Sequence, residues 1–479
     1  MKVLGGWTSQ AACRIPTSRV TTQGRNTTHM ATVANRSAPA LDFSTFGKAT
    51  ELKKRLLFTM GALIVFRLLS FVPLPGIDPL ALEALFSRTH GGVLDYVNTF
   101  SGGALQRMSI IALNIMPYIT ASIIVQLMTS LVPSFESLKK EGESGRKKLN
   151  QYTRFGTVLL TAVQGYGIAV GLESWGGGQT AVIDPGMIFR LTTVITLIGG
   201  TLFLMWLGEQ ITSRGIGNGI SLIIMAGIVA HLPTSLGGLF EQMRSGAIGG
   251  GYVILLLVGA IAVIAFICFM ERAQRRILIQ YPKRQVGNRT FQGDSSHLPL
   301  KINTAGVIPP IFASSLLLMP LTLVQFLGKN GGHWYSEGLI TVSTALQRGA
   351  PLYLALYAAG IIFFSFFYTA VVFNPEETAD NLKKYGGFIP GRRPGQQTAQ
   401  YLDFVLTRLT VIGAAYLTFV CLLPEFLQGQ GAVNFYFGGT SLLIVVNVTM
   451  DTVSQIQSHL LAHQYEGLIK RSKLRGARR

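Results

Sequence analysis

Apolar residues in this chain gather into ten long runs separated by polar stretches. The runs fall near 54–74, 108–132, 154–174, 187–208, 216–232, 252–271, 304–327, 351–373, 404–427 and 436–460. A helix needs about 20 mostly apolar residues to cross a hydrocarbon core of roughly 30 Å. The pattern therefore predicts an all-α polytopic membrane protein with about ten transmembrane helices. Run 216–232 is short and Gly-rich, and 304–327 is interrupted by Pro309-Pro310, which predicts a break there. The first run follows Lys53, Lys54 and Arg55, contains Arg67, and stops at Pro73-Leu74-Pro75-Gly76.

The stretch Ser101–Pro133 stands apart. It opens on Ser101, Gly102, Gly103 and Ala104, a piece too weakly apolar to span a membrane. An apolar helix of about 25 residues is expected to follow. Asn114, Thr120, Ser122, Gln126 and Thr129 dot that helix, and Pro117 sits inside it. Polar groups within a membrane need protein partners or water. A half-inserted piece leading into a kinked, polar-dotted helix points to a pore.

Ten spans divide into five and five. An odd number per half makes the second half enter with opposite orientation, the arithmetic of an inverted repeat with its site between the halves. This assigns 41–232 to the N-terminal half, 233–251 (Gly-rich, with Pro233) to a hinge loop, 252–461 to the C-terminal half and 462–479 to a basic tail. Residues 1–40 contain no Asp or Glu but hold Arg14, Arg19, Arg25 and Arg36 among many Ser and Thr. They read as a disordered or targeting-like extension.

Composition agrees with the pattern. Only 13% of residues are charged and the mean hydropathy is +0.41, whereas soluble domains carry about 25% charged residues. The formal net charge of +19 admits nucleic acid or a membrane surface, and its placement decides. Lys139, Lys140, Arg146, Lys147, Lys148 and Arg154 share one side with the 272–301 loop, with Lys383, Lys384, Arg392 and Arg393, and with the tail. The opposite loops are poor in Lys and Arg. By the positive-inside rule the rich side, with both termini, is cytoplasmic. The membrane is expected to be the bacterial plasma (inner) membrane, the alternative being an organellar inner membrane. The 272–301 and 374–403 loops exceed a plain connection, so they are expected also to bind a partner.

Enzymatic signatures are missing. No Walker-type phosphate loop is present, and Gly215-Ile216-Gly217-Asn218-Gly219 does not fit the dinucleotide fingerprint. His459 and His463 share a helix face without other ligand types to complete a metal site. Cys13, Cys268 and Cys421 imply no disulfide framework. The chain is read as a non-enzyme with no metal and no cofactor. A small-solute transporter would share the topology, but the runs lack the intramembrane carboxylates of a coupling site.

Several ordered blocks carry a resemblance. They are Arg55–Asp78, Phe100–Gln126, Lys139–Arg154, Met205–Ser221 (MWLGEQITSRGIGNGIS), Glu271–Arg276, His297–Ser314 (HLPLKINTAGVIPPIFAS), Val372–Lys384 and Phe435–Val445. From about Leu41 onward the chain resembles the SecY family, channel subunits of bacterial-type Sec protein translocases. It departs from the family pattern at Asn114, where Gly is usual, at Pro310 and at Arg392.

The resemblance implies an hourglass that passes unfolded polypeptides and releases apolar segments sideways into lipid. It places a plug near 96–106, including Ser101, Gly102, Gly103 and Ala104. It places a pore ring on Ile115, Ile119, Ile220, Ile224, Ile311 and Ile444. Two of those pairs are spaced i, i+4, which presents both isoleucines on one helix face. The implied lateral gate lies between runs two and three and runs seven and eight, with Gln126, Gln164, Pro309 and Pro310 as its elements. The implied partners are SecE, SecG, the SecA ATPase, a translating ribosome, signal sequences and lipids. Arg275, Arg276, Lys283, Arg284, Arg392 and Arg393 mark the partner-binding loops. A narrow apolar ring resists wetting and offers no fixed hydrogen-bond pattern, so it suits any polypeptide sequence.

Overall fold

A computed structural model describes residues 50–78, 81–82, 98, 101–174, 182–246, 249–282, 284–286, 289–291, 295–327, 350–429 and 439–476. All of them belong to one unit, Ala49–Arg479. The extension 1–40, the plug residues other than 98 and 101–106, and Lys283 lie outside the described residues, as does the Arg284 side chain.

Each of the ten apolar runs holds a helix. These are α1 (Thr50–Leu69), α2 (Met116–Leu131), α4 (Glu143–Ser174), α5 (Met187–Arg214), α6 (Gly219–Arg244), α7 (Gly250–Arg272), α8 (Ile308–Leu327), α9 (Pro351–Val372), α11 (Gln396–Gly429) and α12 (Gly439–Gly476). Two short amphipathic helices join them, α3 (Pro133–Lys140) and α10 (Pro375–Lys384). Six described helices are long and apolar enough to cross a membrane on their own. A seventh counts if α2 and α3, bent by 102° at Val132, form one span. Helix α1 carries Lys53, Lys54, Arg55 and Arg67 within its 20 residues, which explains its weaker signal.

Three expectations need correction. The second run does not form a helix of about 25 residues. Residues 102–115 form consecutive turns, and α2 has only 16 residues. The cause is local. Pro117 sits in the first turn of α2, where its missing N–H is harmless; further inside a helix it would clash with the preceding turn. Met108 (φ 44°) and Asn114 (φ 50°) take the left-handed region, which a helix excludes. Asn tolerates that region better than most residues, which suits Asn114 to this turn. Second, Pro309 and Pro310 do not break a helix: they lie buried in the first turn of α8. Third, the hinge loop does not begin at Pro233, because α6 runs through it to Arg244.

The 272–301 loop holds more structure than the sequence led us to expect. Strand β1 (Gln274–Gln280) pairs antiparallel with β4 (Ser295–Lys301), with Ile277 opposite Leu298. A smaller ribbon, β2 (Arg284–Val286) with β3 (Arg289–Phe291), lies between them. Ile277 and Ile279 point inward in strict alternation. Gln280 and Phe388 exchange both backbone hydrogen bonds at 2.9 Å, so the hairpin is stitched to the segment after α10. Ile277, Leu300, Ile389, Leu402, Val405 and Leu406 close a small apolar core beneath them. Lys139 Nζ donates to the Val371 carbonyl at 3.1 Å. The basic segments thus gather at one end of the molecule, as the charge pattern requires.

Candidate functional site: an apolar waist and its stopper

Four separate elements supply the predicted ring. Ile115 precedes α2, and its carbonyl accepts from the Ile119 N–H at 3.0 Å, so the two remain one turn apart although Ile115 is outside the helix. Ile220 and Ile224 open α6, whose N-cap Asn218 accepts from the Ile220 N–H at 3.2 Å. Ile311 lies in the first turns of α8, and Ile444 in those of α12. Ile115, Ile119, Ile224 and Ile444 are buried members of one apolar cluster, and Ile220 and Ile311 pack against it. Ile123 belongs to the same cluster, whereas Ile124 is 45% exposed.

Close backbone contact sets where α6 starts. Gly219 lies so near α5 that an added Cβ would overlap the Gly208 carbonyl oxygen. A Cβ on Gly208 would in turn meet Ile220 Cγ1 at 3.1 Å. Thr59 of α1 and Gln455 of α12 then hold the loop before α6, accepting from the Ile216 and Gly217 N–H groups at 3.1 and 2.9 Å.

Beside the cluster lies the plug candidate. Ser101 and Ala104 are buried. Asn98 organises the piece: its carbonyl accepts from the Gly103 N–H at 3.0 Å, and its Oδ1 from the Gln106 N–H at 2.9 Å. Gly102 and Gly103 both have positive φ, which glycine adopts without strain. Leu74 donates to the Met108 carbonyl and Ile110 to that of Val72, fastening the turns to the chain after α1. Leu105, Met108, Ala112 and Leu113 pack with Leu172, Phe189 and Leu197 in a second apolar cluster.

The proposed gate elements are adjacent. Helix α8 packs against α2, α4 and α9, and α2 packs against α4. Phe312 of α8 meets Phe364 and Tyr368 of α9 edge-on. Gln126 Nε2 lies 3.4 Å from Ser122 Oγ on its own helix, and Gln164 is half-buried on α4. Among the partner-loop residues, Arg275, Arg276, Arg392 and Arg393 are exposed, and Arg392 lies 5.4 Å from the Tyr401 ring centre.

Sequence reasoning passed over two features here. One is the hydrogen bond from Arg67 Nη1 to the Gly102 carbonyl, signalled by a charge inside an apolar run. The other is buried Glu271, which accepts from Asn303 Nδ2 at 2.6 Å and ties the end of α7 to the turn before α8.

A family model described as SecY matches residues 109–453. The protein translocase subunit SecY of Vibrio cholerae is 57% identical over 439 residues, covering 91% of this chain and 98% of its own length. The chain belongs to the SecY family. The Escherichia coli K12 member is 56% identical over 440 residues, with the same coverage of both chains. Among solved structures, one of a protein-conducting channel matches with a TM-score of 0.62 at 19% identity, over 85% of this chain and 92% of that one. Sec61 in a canine ribosome–channel complex matches with a TM-score of 0.59 at 18% identity, with the same coverage. As a SecY-family member the chain is a multi-pass protein-conducting channel subunit and not an enzyme.

Proposed function

We propose that the six isoleucines form the waist through which unfolded polypeptides pass. The observation that carries this reading is their convergence: four elements far apart in sequence bring them into one apolar cluster. A gasket of apolar side chains blocks ions by dewetting while remaining indifferent to the passing sequence. Residues 96–106 act as its stopper. A related SecY channel supports that role, since its plug domain stabilises the closed state and maintains a membrane seal. The seam of α2 and α4 against α8 and α9 serves as a lateral gate, opened by an apolar signal helix that leaves water for lipid.

SecE and SecG are the proposed membrane partners. SecA or a translating ribosome docks on the exposed arginines of the basic end, whose charge suits polyanionic RNA. The proposed site is the bacterial inner membrane, with both termini cytoplasmic. The two halves are related as inverted repeats of 41–232 and 252–461, joined by the shortened connection after Arg244.

The test is conductance of purified channel in planar bilayers without ATP or substrate. Ile115→Ser and Ile220→Ser should raise resting ion leak, and Ile124→Ser, on the exposed face, should not. Deleting 96–106 should enlarge the ring effects. Equal conductance of ring and control serines, with or without the plug, overturns the assignment.

A further inference from the structure

We propose that Arg67 is the latch of the plug, a positioning residue that acts through the Gly102 main-chain carbonyl. The inference rests on the reading of residues 96–106 as a plug. Arg67 sits in the last turn of α1 and places a charge inside the first apolar run. A charged side chain there is expensive unless it is partnered, and marks function by default. Its Nη1 donates to the Gly102 carbonyl at 2.9 Å, across 35 positions of sequence. The same nitrogen lies 3.5 Å from Ser70 Oγ, whose hydroxyl donates to the Arg67 carbonyl at 2.6 Å.

The setting of this arginine is unusual. Its guanidinium lies 4.8 Å from the Phe71 ring centre, and that of Arg107, just past the plug, lies 4.3 Å from the same ring. Among the described residues, no carboxylate forms an ion pair with either. Two like charges therefore meet at the neck of the plug, and a plug carbonyl is the strong acceptor that Arg67 finds there. On its other side Gly102 leans on α6, where an added Cβ would lie 2.9 Å from the Gly227 carbonyl oxygen. The plug backbone is gripped between a charge-assisted hydrogen bond and the helix that carries Ile220 and Ile224.

Two consequences follow from this geometry. A main-chain acceptor makes the grip indifferent to plug side chains. The neighbouring Arg107 opposes it, since releasing the plug separates the two cations. The closed state is thus held by one bond set against one repulsion, a device that a modest push can switch.

The experiment compares bilayer conductance of the purified channel as wild type, Arg67→Met and Arg67→Lys. Each is measured in the full chain and in a chain lacking 96–106. Losing a hydrogen bond to a charged group should raise the resting open fraction about tenfold in Arg67→Met. Arg67→Lys should fall between, keeping a donor without the planar fork over Phe71. In the plug-less chain Arg67→Met should add nothing, which a merely structural role would not produce. The latch is overturned if Arg67→Met leaks like wild type in the full chain, or leaks equally more in both backgrounds. If deleting the plug itself raises no leak, the plug reading fails and the latch with it. A leaky plug-less channel beside a tight Arg67→Met sinks the latch alone.

Discussion

Helix α7 and the segment 101–131 are both apolar runs of the same protein, built in opposite ways. Helix α7 has a mean hydropathy of 3.2 in its most apolar window, the highest of the six spanning helices, yet only 11% of that window is buried in protein. Leu255, Val258 and Ile261 point outward. The 101–115 stretch is interrupted by polar residues and makes no long helix, yet Ser101, Ser109, Asn114 and Ile115 are all buried. The contrast teaches that hydropathy in a membrane chain tracks the surface left outside the chain's own core, not closeness to that core. Lipid rewards uniform apolar surface, whereas the protein interior tolerates turns and can pair a polar group such as Ser101 Oγ, which donates to the Asn98 carbonyl at 3.0 Å. The segment with the weaker apolar signal is therefore the one that puts Ala104, Ile111 and Ile115 into the main apolar cluster.

The hardest test of that contrast adds one methyl group where two backbones meet in the interior, at the start of α6, and one on the outward-facing α7. Gly219→Ala pushes a Cβ into the Gly208 carbonyl oxygen, where two backbones touch. Gly259 on α7 has nothing within 4 Å of such a Cβ. We expect Gly219→Ala to lose about 1–3 kcal/mol, as overpacking does. Gly259→Ala should stay within about 1 kcal/mol of wild type, since alanine is the better helix former. Thermal unfolding in mild detergent reads both. Equal losses would mean that α7 is packed against protein rather than lipid.

A smaller effect on folding, with a large one on work, is expected at the exposed basic end. Arg393 is exposed, and its carbonyl accepts from Thr398 Oγ1 at 2.9 Å, a contact that survives a side-chain change. Arg393→Glu should shift stability by no more than about 0.5 kcal/mol, as surface changes do. If the proposed contact with the motor or ribosome includes Arg393, charge reversal there should nevertheless cut translocation while membrane insertion proceeds. Equal partner binding by both forms, measured on purified channel, removes Arg393 from that surface.

These contrasts also show what the sequence could carry. The places of the ten helices in the apolar runs were legible from hydropathy, but the start of α2 at Met116 was not. The ring assignment rests on the family blocks, since periodicity alone could not separate its six isoleucines from others such as Ile123 in the same cluster. The turns at 102–115 were half legible: Gly102-Gly103 and Pro117 are plain signals, but the left-handed Met108 sits beside the Pro73–Ser109 bridge, a tertiary contact with no mark in the local sequence. Pro233 misled, because α6 absorbs it without stopping. The hairpin signal lay in the alternation of Ile277 and Ile279. The Gln280–Phe388 stitch had no signal at all, since backbone pairing between distant segments leaves no mark on residue type.

The smallest effect is expected at the N-terminus, where the contrast between lipid-facing and interior segments has no purchase. Residues 1–40 include no carboxylate to balance their arginines and no long apolar run. The stretch also lies outside the family match at 109–453 and outside every block that carries the resemblance. A chain starting at Met30 keeps all ten helices, the Arg67–Gly102 contact and the basic end. It should therefore insert and translocate like the full chain, within the error of a vesicle-based translocation assay. Normal expression with lost translocation would show that these residues contribute to the channel's work, and that an acid-free, arginine-bearing segment can matter without a core of its own.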